Sequence, residues 1–252
     1  MTAVENSWSG SNDSECDHYY DVSSSYKNVS PVTGYTTILS SSFSIIGSLL
    51  IIVTFVAFRE VRTVGRAILV FLAIADFLTA FGYILGSAVF LHYHPDQYYY
   101  HNASENASNY AYNFNSSYVH LCKFQSFVTT VFPISSFLWT ANLSIYFFVT
   151  ITLRKVQAAK KLMLIFHITA WGIPLLICIP AVATGWLGPS KSHTSVSWCW
   201  VRFDVDEPQK IPEFYVMELI CGKFWETMTY FVSLMLCGIV KYTLYKRVRT
   251  LV

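Results

Sequence analysis

Residues 72–84 read LAIADFLTAFGYI, an apolar run that carries a single carboxylate, Asp76. The surrounding stretch, 67–91, is longer than the roughly 20 residues with which a helix crosses a bilayer. A charged side chain at mid-membrane costs about 2.5–3.5 kcal/mol on the scale derived from membrane insertion. We therefore expect the carboxylate of Asp76 to be offset by neighbouring polar groups or to serve a function.

Four further stretches are long and apolar in the same way, at residues 36–58, 124–150, 162–184 and 213–240. The chain has 252 residues, of which 54% are hydrophobic and only 13% are charged. A soluble domain carries about 25% charged residues, so this composition excludes a soluble fold. It predicts an all-α membrane protein with five spans in contact with the lipid bilayer. The net charge of +2 gives no reason to expect nucleic-acid binding.

Lys and Arg are concentrated after the first, third and fifth spans, which share one side of the membrane. These three places hold 11 of the 17 basic residues, namely Arg59, Arg62, Arg66, Arg154, Lys155, Lys160, Lys161, Lys241, Lys246, Arg247 and Arg249. Cytoplasmic loops are rich in Lys and Arg, so this side is predicted to be cytoplasmic. The N-terminus is then extracellular, as expected of a multi-pass protein of the plasma membrane.

N-glycosylation acceptors support the same orientation. The tripeptide N-x-S/T occurs in the polar N-terminal arm, 1–35, and in the long loop 92–121, at Asn12, Asn28, Asn102, Asn106 and Asn115. Both regions are predicted to be extracellular, and the arm is predicted to be disordered. A further acceptor, Asn142, falls inside the third span, so we interpret it as a packing or hydrogen-bonding residue.

Two of the six cysteines are placed to face each other outside the membrane. Cys122 begins the third span and Cys199 lies in the loop between the fourth and fifth spans. An oxidising compartment favours a disulfide between them, with two free thiols as the alternative. Cys178 and Cys237 fall within spans and are expected to be buried thiols.

Several short motifs resemble those of one receptor family. They are FLAIADFLTA (71–80), CKFQSF (122–127), SSFLWT (135–140), HITAWGIPL (167–175), VSWCWV (196–201) and GKFWE (222–226). These stretches look like those of the cAMP-receptor-like G-protein-coupled receptors, and are closest to their orphan animal branch. The chain reads ITLRKVQ after the third span, without the DRY triplet of rhodopsin-like receptors. The resemblance implies a seven-helix receptor bundle of which helices one to five are present, and a cytoplasmic end, 241–252, that is truncated.

The same resemblance implies the partners. An extracellular ligand of unknown identity would shift a helix equilibrium that a heterotrimeric G protein reads. Contact with that G protein would fall to Arg59, Arg62, Arg154 and Lys155, although membrane topology alone also explains these cations. A transporter or channel is the rival from another class, and a truncated isoform that does not signal is a third possibility.

Inside the membrane, Asp76 lies at a depth close to that of Ser135 and Ser136, counted along their helices at about 1.5 Å per residue. This trio is interpreted as a switch, or as a buried carboxylate with hydrogen-bonding hydroxyls. Gly82 and Gly86 form a GxxxG pattern that predicts close packing of helices.

The outer half contains the candidates for a ligand cavity, which are Glu218, Lys223, Glu226, Trp198 and Trp200. Lys223 and Glu226 are three residues apart on one helix face, where they can neutralise each other. Cations of the outer half, at Lys123, Lys191, Arg202, Lys210 and Lys223, form no cluster that the sequence defines. No catalytic motif and no group of metal ligands appears, so we predict that the protein is not an enzyme and uses no cofactor or metal.

Overall fold

The computed structural model describes residues 31–92, 116–189, 197–202 and 211–250. Within these ranges, five helices are long and apolar enough to cross a membrane, which confirms the all-α membrane bundle. Three of the five contain a π-helical turn. The helices are α1, Pro31–Ala57; α2, Val64–His92; α3, Ser116–Phe147 continued by Phe148–Thr152; α4, Val156–His167, Ile168–Gly172 and Ile173–Ala183; and α5, Ile211–Glu218, Leu219–Lys223 and Phe224–Arg249.

The helices extend beyond the apolar stretches that predict them. α3 begins at Ser116 rather than near residue 124, and α5 continues to Arg249 rather than ending near residue 240. The hydrogen bonds of a helix form within its own backbone whatever the polarity of the side chains, so the helices continue into the polar flanks. The last residues of the predicted loop 92–121 are therefore helical.

α3 forms the centre of the bundle. α2, α4 and α5 all pack against it, while α1 packs along α2. Its Trp139 is fully buried, with the ring stacked 5.1 Å from that of Phe71 on α2 and edge-on to His167 on α4. Large apolar side chains such as Phe43 on α1 and Leu234 on α5 are exposed instead. This outward apolar surface is that of a bundle surrounded by lipid.

A short hairpin covers one end of the bundle. α4 ends in a Schellman motif, in which Trp186 N–H bonds to Ala181 O at 2.9 Å and Gly185 N–H to Val182 O at 3.2 Å. Gly185 takes the left-handed conformation that this motif requires, with φ +81°. The chain then pairs antiparallel strands β1, Leu187–Gly188, and β2, Trp200–Val201. We call residues 185–189 and 197–202 the lid, and the end of the bundle beneath it the disulfide end.

At the opposite end, α3 is terminated by a left-handed residue. Arg154 has φ 56°, and the next amide, Lys155 N–H, turns back to bond Val149 O at 3.1 Å. The end of the bundle that carries Arg59, Arg62, Arg154 and Lys155 is called the basic end below.

The free thiols differ in burial. Cys178 on α4 and Cys221 on α5 are buried, whereas Cys237 on α5 is exposed. The expectation that Cys237 is buried is therefore wrong. That part of α5 presents its thiol on a face that no described residue covers, because only one side of α5 packs against α3.

Candidate functional site

The carboxylate in the opening motif has a partner on the central helix. Ser136 Oγ on α3 donates a hydrogen bond to Asp76 Oδ1 on α2, at 2.5 Å. Both side chains are half-buried in the middle of their helices. This hydrogen bond gives a carboxylate oxygen a partner at a depth where bulk water does not reach it. The structure thus brings together two residues that the counted depths place side by side, and their role as a switch stays a prediction.

Ser135 does not join this pair, although the sequence places it beside Asp76. Its Oγ is buried and donates to Val131 O within α3, at 2.9 Å. Successive residues of a helix point about 100° apart, so only one of two neighbouring serines can face α2. The expectation that both hydroxyls face the carboxylate is therefore wrong for Ser135.

Polar side chains also join α3 to α4. Asn142 is buried on α3 and its Nδ2 donates to Phe166 O on α4, at 3.4 Å. This contact agrees with the interpretation of Asn142 as a hydrogen-bonding residue inside the span.

Two bonds join α3 to α5 in the same way. Thr229 Oγ1 on α5 donates to Phe137 O at 3.0 Å, and Ser144 Oγ on α3 donates to Ser233 Oγ at 3.1 Å. In the membrane interior such bonds hold helices together where water does not compete. α3 is therefore tied by side-chain hydrogen bonds to each of the three helices that pack against it.

The lid is fixed to α3 by a covalent bond and a buried amide. Cys122 and Cys199 form a disulfide with a Cα–Cα distance of 5.6 Å. Gln125, one turn further along α3, is 1% exposed, and its Oε1 accepts the Cys199 N–H at 2.9 Å. The amide nitrogen of Gln125 donates at 3.4 Å to Gly82 O on α2. Gln125 therefore links three elements.

Gln125 lies within the motif CKFQSF, but the motif alone predicts no role for it. The signal available was a long polar side chain one turn after a cysteine that faces the lid. On a helix, residues three apart lie on the same face, so Gln125 shares the lid-facing side of Cys122.

The GxxxG pattern of α2 provides the space for this contact. A methyl group placed on Gly82 would lie 2.7 Å from Val128 Cγ1 on α3. One placed on Gly86 would lie 2.6 Å from Trp198 Cβ and 2.7 Å from Gln125 Nε2. The close packing predicted for these two glycines is confirmed: both lie against α3, and Gly86 also lies against Trp198 of the lid.

The predicted ligand-cavity residues are divided between two contacts. Trp198 packs edge-on against Tyr83 of α2, with ring centroids 4.7 Å apart. Trp200 packs against α5, where a methyl group placed on Gly222 would lie 2.9 Å from Trp200 Cζ2. The motifs VSWCWV and GKFWE therefore meet at this contact. The tryptophans of the lid thus anchor it to α2 and to α5.

The acidic and basic candidates lie on α5. Lys223 Nζ and Glu226 Oε2 are 3.4 Å apart and form the expected ion pair. The Lys223 side chain is 61% exposed, which makes this a weak surface pair rather than a buried charge cluster. Glu218 is half-buried one to two turns nearer the disulfide end. A ligand-binding role of these residues stays a prediction.

At the basic end, one of the four predicted cations caps a helix. Arg62 donates to Val56 O at 2.7 Å and to Phe55 O at 3.2 Å, so it closes the end of α1. Arg59, Arg154 and Lys155 are exposed. Three exposed cations beside a capped helix end form a positive surface, and its contact with a G protein stays a prediction.

A second arginine joins α5 to the end of α3. The half-buried Arg247 donates from Nη1 to Ile151 O at 2.7 Å and from Nη2 to Thr152 O at 3.1 Å. The last carbonyl groups of a helix lack intrahelical partners and carry partial negative charge, which a guanidinium neutralises. We call this contact the arginine clamp.

The glycosylation predictions fall elsewhere. Asn12, Asn28, Asn102, Asn106 and Asn115 all lie outside the described residues.

Comparisons with known proteins match most of this bundle. The family model described as "7 transmembrane receptor (Secretin family)" matches residues 31–222. G-protein coupled receptor 157 of Homo sapiens is 28% identical over 198 residues, covering 77% of this chain and 49% of the relative. The Mus musculus receptor of that name is 26% identical over 194 residues, covering 77% of this chain and 50% of the relative.

A more distant relative bears on the predicted resemblance. Cyclic AMP receptor-like protein A of Dictyostelium discoideum is 26% identical over 162 residues, covering 64% of this chain and 35% of the relative. The predicted resemblance to cAMP-receptor-like receptors is confirmed by these matches. The chain spans about half the length of the curated relatives it matches.

Proposed function

Because this chain belongs to the 7 transmembrane receptor (Secretin family), we propose that it transmits an extracellular signal to a heterotrimeric G protein. The disulfide end faces the outside, where a ligand acts on the lid. The basic end faces the cytoplasm, where the G protein binds. A ligand that favours one arrangement of the spans shifts the population toward that arrangement.

The observation that carries this proposal is the set of contacts made by α3. At the disulfide end α3 holds the lid through Cys122 and Gln125. In the middle it hydrogen-bonds Asp76 of α2, and at the basic end its carbonyl groups bind Arg247 of α5. In this proposal α3 carries a displacement of the lid to the basic end, since it contacts the lid, α2 and α5 along its length.

Charge and topology support the proposed orientation. The disulfide requires an oxidising compartment, which is the extracellular side. The exposed cations Arg59, Arg154 and Lys155 belong to connections on the other side, where basic residues are enriched in membrane proteins. The human and mouse relatives are both named as G-protein coupled receptors, which supports the same partner for this chain.

The test is recruitment of a G protein to the basic end. The chain, fused to a luminescent donor, is expressed in cells with acceptor-labelled miniature Gα proteins of each major class. We expect basal energy transfer to at least one class above that of an unrelated membrane protein. Arg154→Gln with Lys155→Gln should lower this signal about threefold or more, because two cations are lost from the contact surface.

A charge-preserving pair, Arg154→Lys with Lys155→Arg, serves as the matched control and should retain the signal. Surface expression of each variant is measured with an N-terminal tag. Absence of energy transfer for every Gα class, together with ion or solute flux in liposomes, would replace the receptor proposal with a transporter or channel.

A further inference from the structure

Part of the lid lies inside the disulfide end of the bundle rather than over it. Ser197 is fully buried, and its hydroxyl group is 3.4 Å from that of Ser87 on α2, which is also fully buried. Leu187 and Val201, one on each strand of the hairpin, belong to the same buried cluster as the core of the helices. Connecting segments normally run over the surface of a protein. This one fills space between the helix ends instead.

Trp198 is the lid side chain that reaches α2. Its Cβ lies where only a glycine leaves room, since a methyl group on Gly86 would approach it to 2.6 Å. The same methyl group would lie 2.7 Å from Gln125 Nε2 on α3. The Trp198 ring packs edge-on against Tyr83, with ring centroids 4.7 Å apart and planes inclined by 61°. We call the surface formed by Tyr83, Gly86 and Gln125 the indole seat.

The indole seat adjoins residues predicted to contact a ligand. Tyr83 is close enough to Glu226 on α5 for the two side chains to interact electrostatically. Glu226 in turn forms an ion pair with Lys223, at 3.4 Å. An aromatic surface beside a few polar groups is the usual composition of a small-molecule site. The Trp198 ring therefore occupies the place that such a ligand would take.

The backbone of the lid is fixed independently of the Trp198 ring. Cys199 is held by its disulfide and by its N–H, which bonds to Gln125 Oε1 at 2.9 Å. Trp198 is only partly buried, whereas Ser197 before it is fully buried. Rotation about the Cα–Cβ bond takes a side chain from one staggered rotamer to another and leaves the backbone in place. The ring can therefore leave the indole seat while the lid stays attached to α3.

We propose that Trp198 is an internal ligand of the indole seat, and that the extracellular ligand carries a planar aromatic ring that takes its place. The incoming ring packs edge-on against Tyr83, and the Trp198 side chain turns toward solvent. The proposal rests on the proposed function in one respect, because it states which contact an extracellular ligand replaces. Its test measures binding alone, so a failure to couple to a G protein would leave it standing.

The experiment removes the internal ring and supplies an equivalent ring from outside. Trp198→Ala empties the indole seat of the purified chain, held in phosphatidylcholine nanodiscs. The probe is radiolabelled N-acetyltryptophanamide, which carries the same indole ring without charge, and its binding to empty nanodiscs is subtracted. We expect the variant to bind the probe about tenfold more tightly than the unaltered chain, in which the probe must displace Trp198.

Matched variants locate the binding. Trp198→Phe keeps an aromatic ring in the seat, so it should bind the probe as weakly as the unaltered chain. In the Trp198→Ala background, Tyr83→Leu should weaken binding about fivefold, because the edge-on contact is lost, while Tyr83→Phe should retain it. N-acetylalaninamide, which lacks the ring, should not compete with the probe.

Folding of each variant is checked by the resistance of the buried thiols Cys178 and Cys221 to a thiol reagent. If Trp198→Ala fails this check, Trp198→Leu takes its place, since leucine is apolar and has no ring.

Tighter binding to the variant without the ring, lost with Tyr83→Leu, supports the proposal. Equal affinity of the probe for this variant and the unaltered chain would overturn it, because Trp198 would then not compete. Absence of binding to the variant, or binding that Tyr83→Leu leaves unchanged, would overturn it as well.

Discussion

Replacing Gly86 by alanine tests how tightly the lid is seated on α2. The new Cβ would lie 2.6 Å from Trp198 Cβ and 2.7 Å from Gln125 Nε2, whereas carbon atoms in contact prefer about 3.5–4.0 Å. Trp198 Cβ is attached to the lid backbone, so the clash is relieved only by moving the lid or α2. Overpacking of this kind destabilises by about 1–3 kcal/mol.

Helix propensity acts in the opposite direction. Alanine in a helix interior is favoured over glycine by roughly 1 kcal/mol. The net loss for Gly86→Ala is therefore at most about 2 kcal/mol, which lowers the unfolding midpoint by up to roughly 8 °C for a chain of this length. Gly47→Ala is the matched control, because nothing lies within 4 Å of a methyl group added there. It should leave the midpoint unchanged or raise it.

The free thiols of the protein provide the assay. Cys178 and Cys221 are buried, so a thiol-reactive fluorophore labels them only as the bundle opens. Cys237 is exposed and is replaced by serine. Cys16 of the N-terminal arm is replaced as well, so that only the two buried thiols report. A Gly86→Ala midpoint equal to or above that of Gly47→Ala would refute the packing of the lid against α2.

Three further predictions concern the other contacts of α3. A double-mutant cycle of Asp76→Asn and Ser136→Ala, followed by thermal unfolding, should give a coupling energy of about 0.6–1.7 kcal/mol, and additive effects would refute the bond. Arg247→Gln should lower the midpoint by roughly 2–6 °C through loss of the arginine clamp, while Lys246→Gln, an exposed neighbour, should not; equal effects would contradict the clamp. Replacing both disulfide cysteines by serine should cost about 4.5 kcal/mol in the chain-entropy description, because the bond joins residues 77 positions apart. Peptide mapping of the unreduced protein should recover the peptides of Cys122 and Cys199 linked.

The number and nature of the spans could be predicted because they depend on the chain alone. A stretch of about 20 apolar residues can satisfy its backbone in lipid only as a helix. The ends of the helices could not be predicted in this way. α3 starts at Ser116 and α5 runs to Arg249 within polar sequence, where apolarity gives no signal although backbone hydrogen bonding continues.

For the site, the sequence predicts only how deep each residue lies along its helix and how the residues are spaced. Depth along two helices pairs Asp76 with a serine of α3, but the rotation of α3 decides that the partner is Ser136 and not Ser135. The rotation of α3 about its axis depends on its packing against α2, α4 and α5 together. The sequence of α3 alone does not specify it.

Contacts between distant parts of the chain were the least predictable. Lys123 of α3 and Arg202 of the lid line one cleft at the disulfide end, because the disulfide and the hairpin bring their backbones together. The sequence shows both as scattered cations of the outer half. In the sequence, Arg247 likewise resembles the other basic residues after the fifth span. Only the structure shows that it bonds to the end of α3.

The orientation of the bundle is the claim on which the receptor proposal depends most directly. It is measured with one epitope tag inserted at residue 10 and another at residue 154, each in a separate variant of the chain, stained on intact and on permeabilised cells. We expect the tag at residue 10 to be accessible on intact cells and the tag at residue 154 to be accessible only after permeabilisation. Equal staining of both tags on intact cells would contradict an extracellular lid and a cytoplasmic basic end.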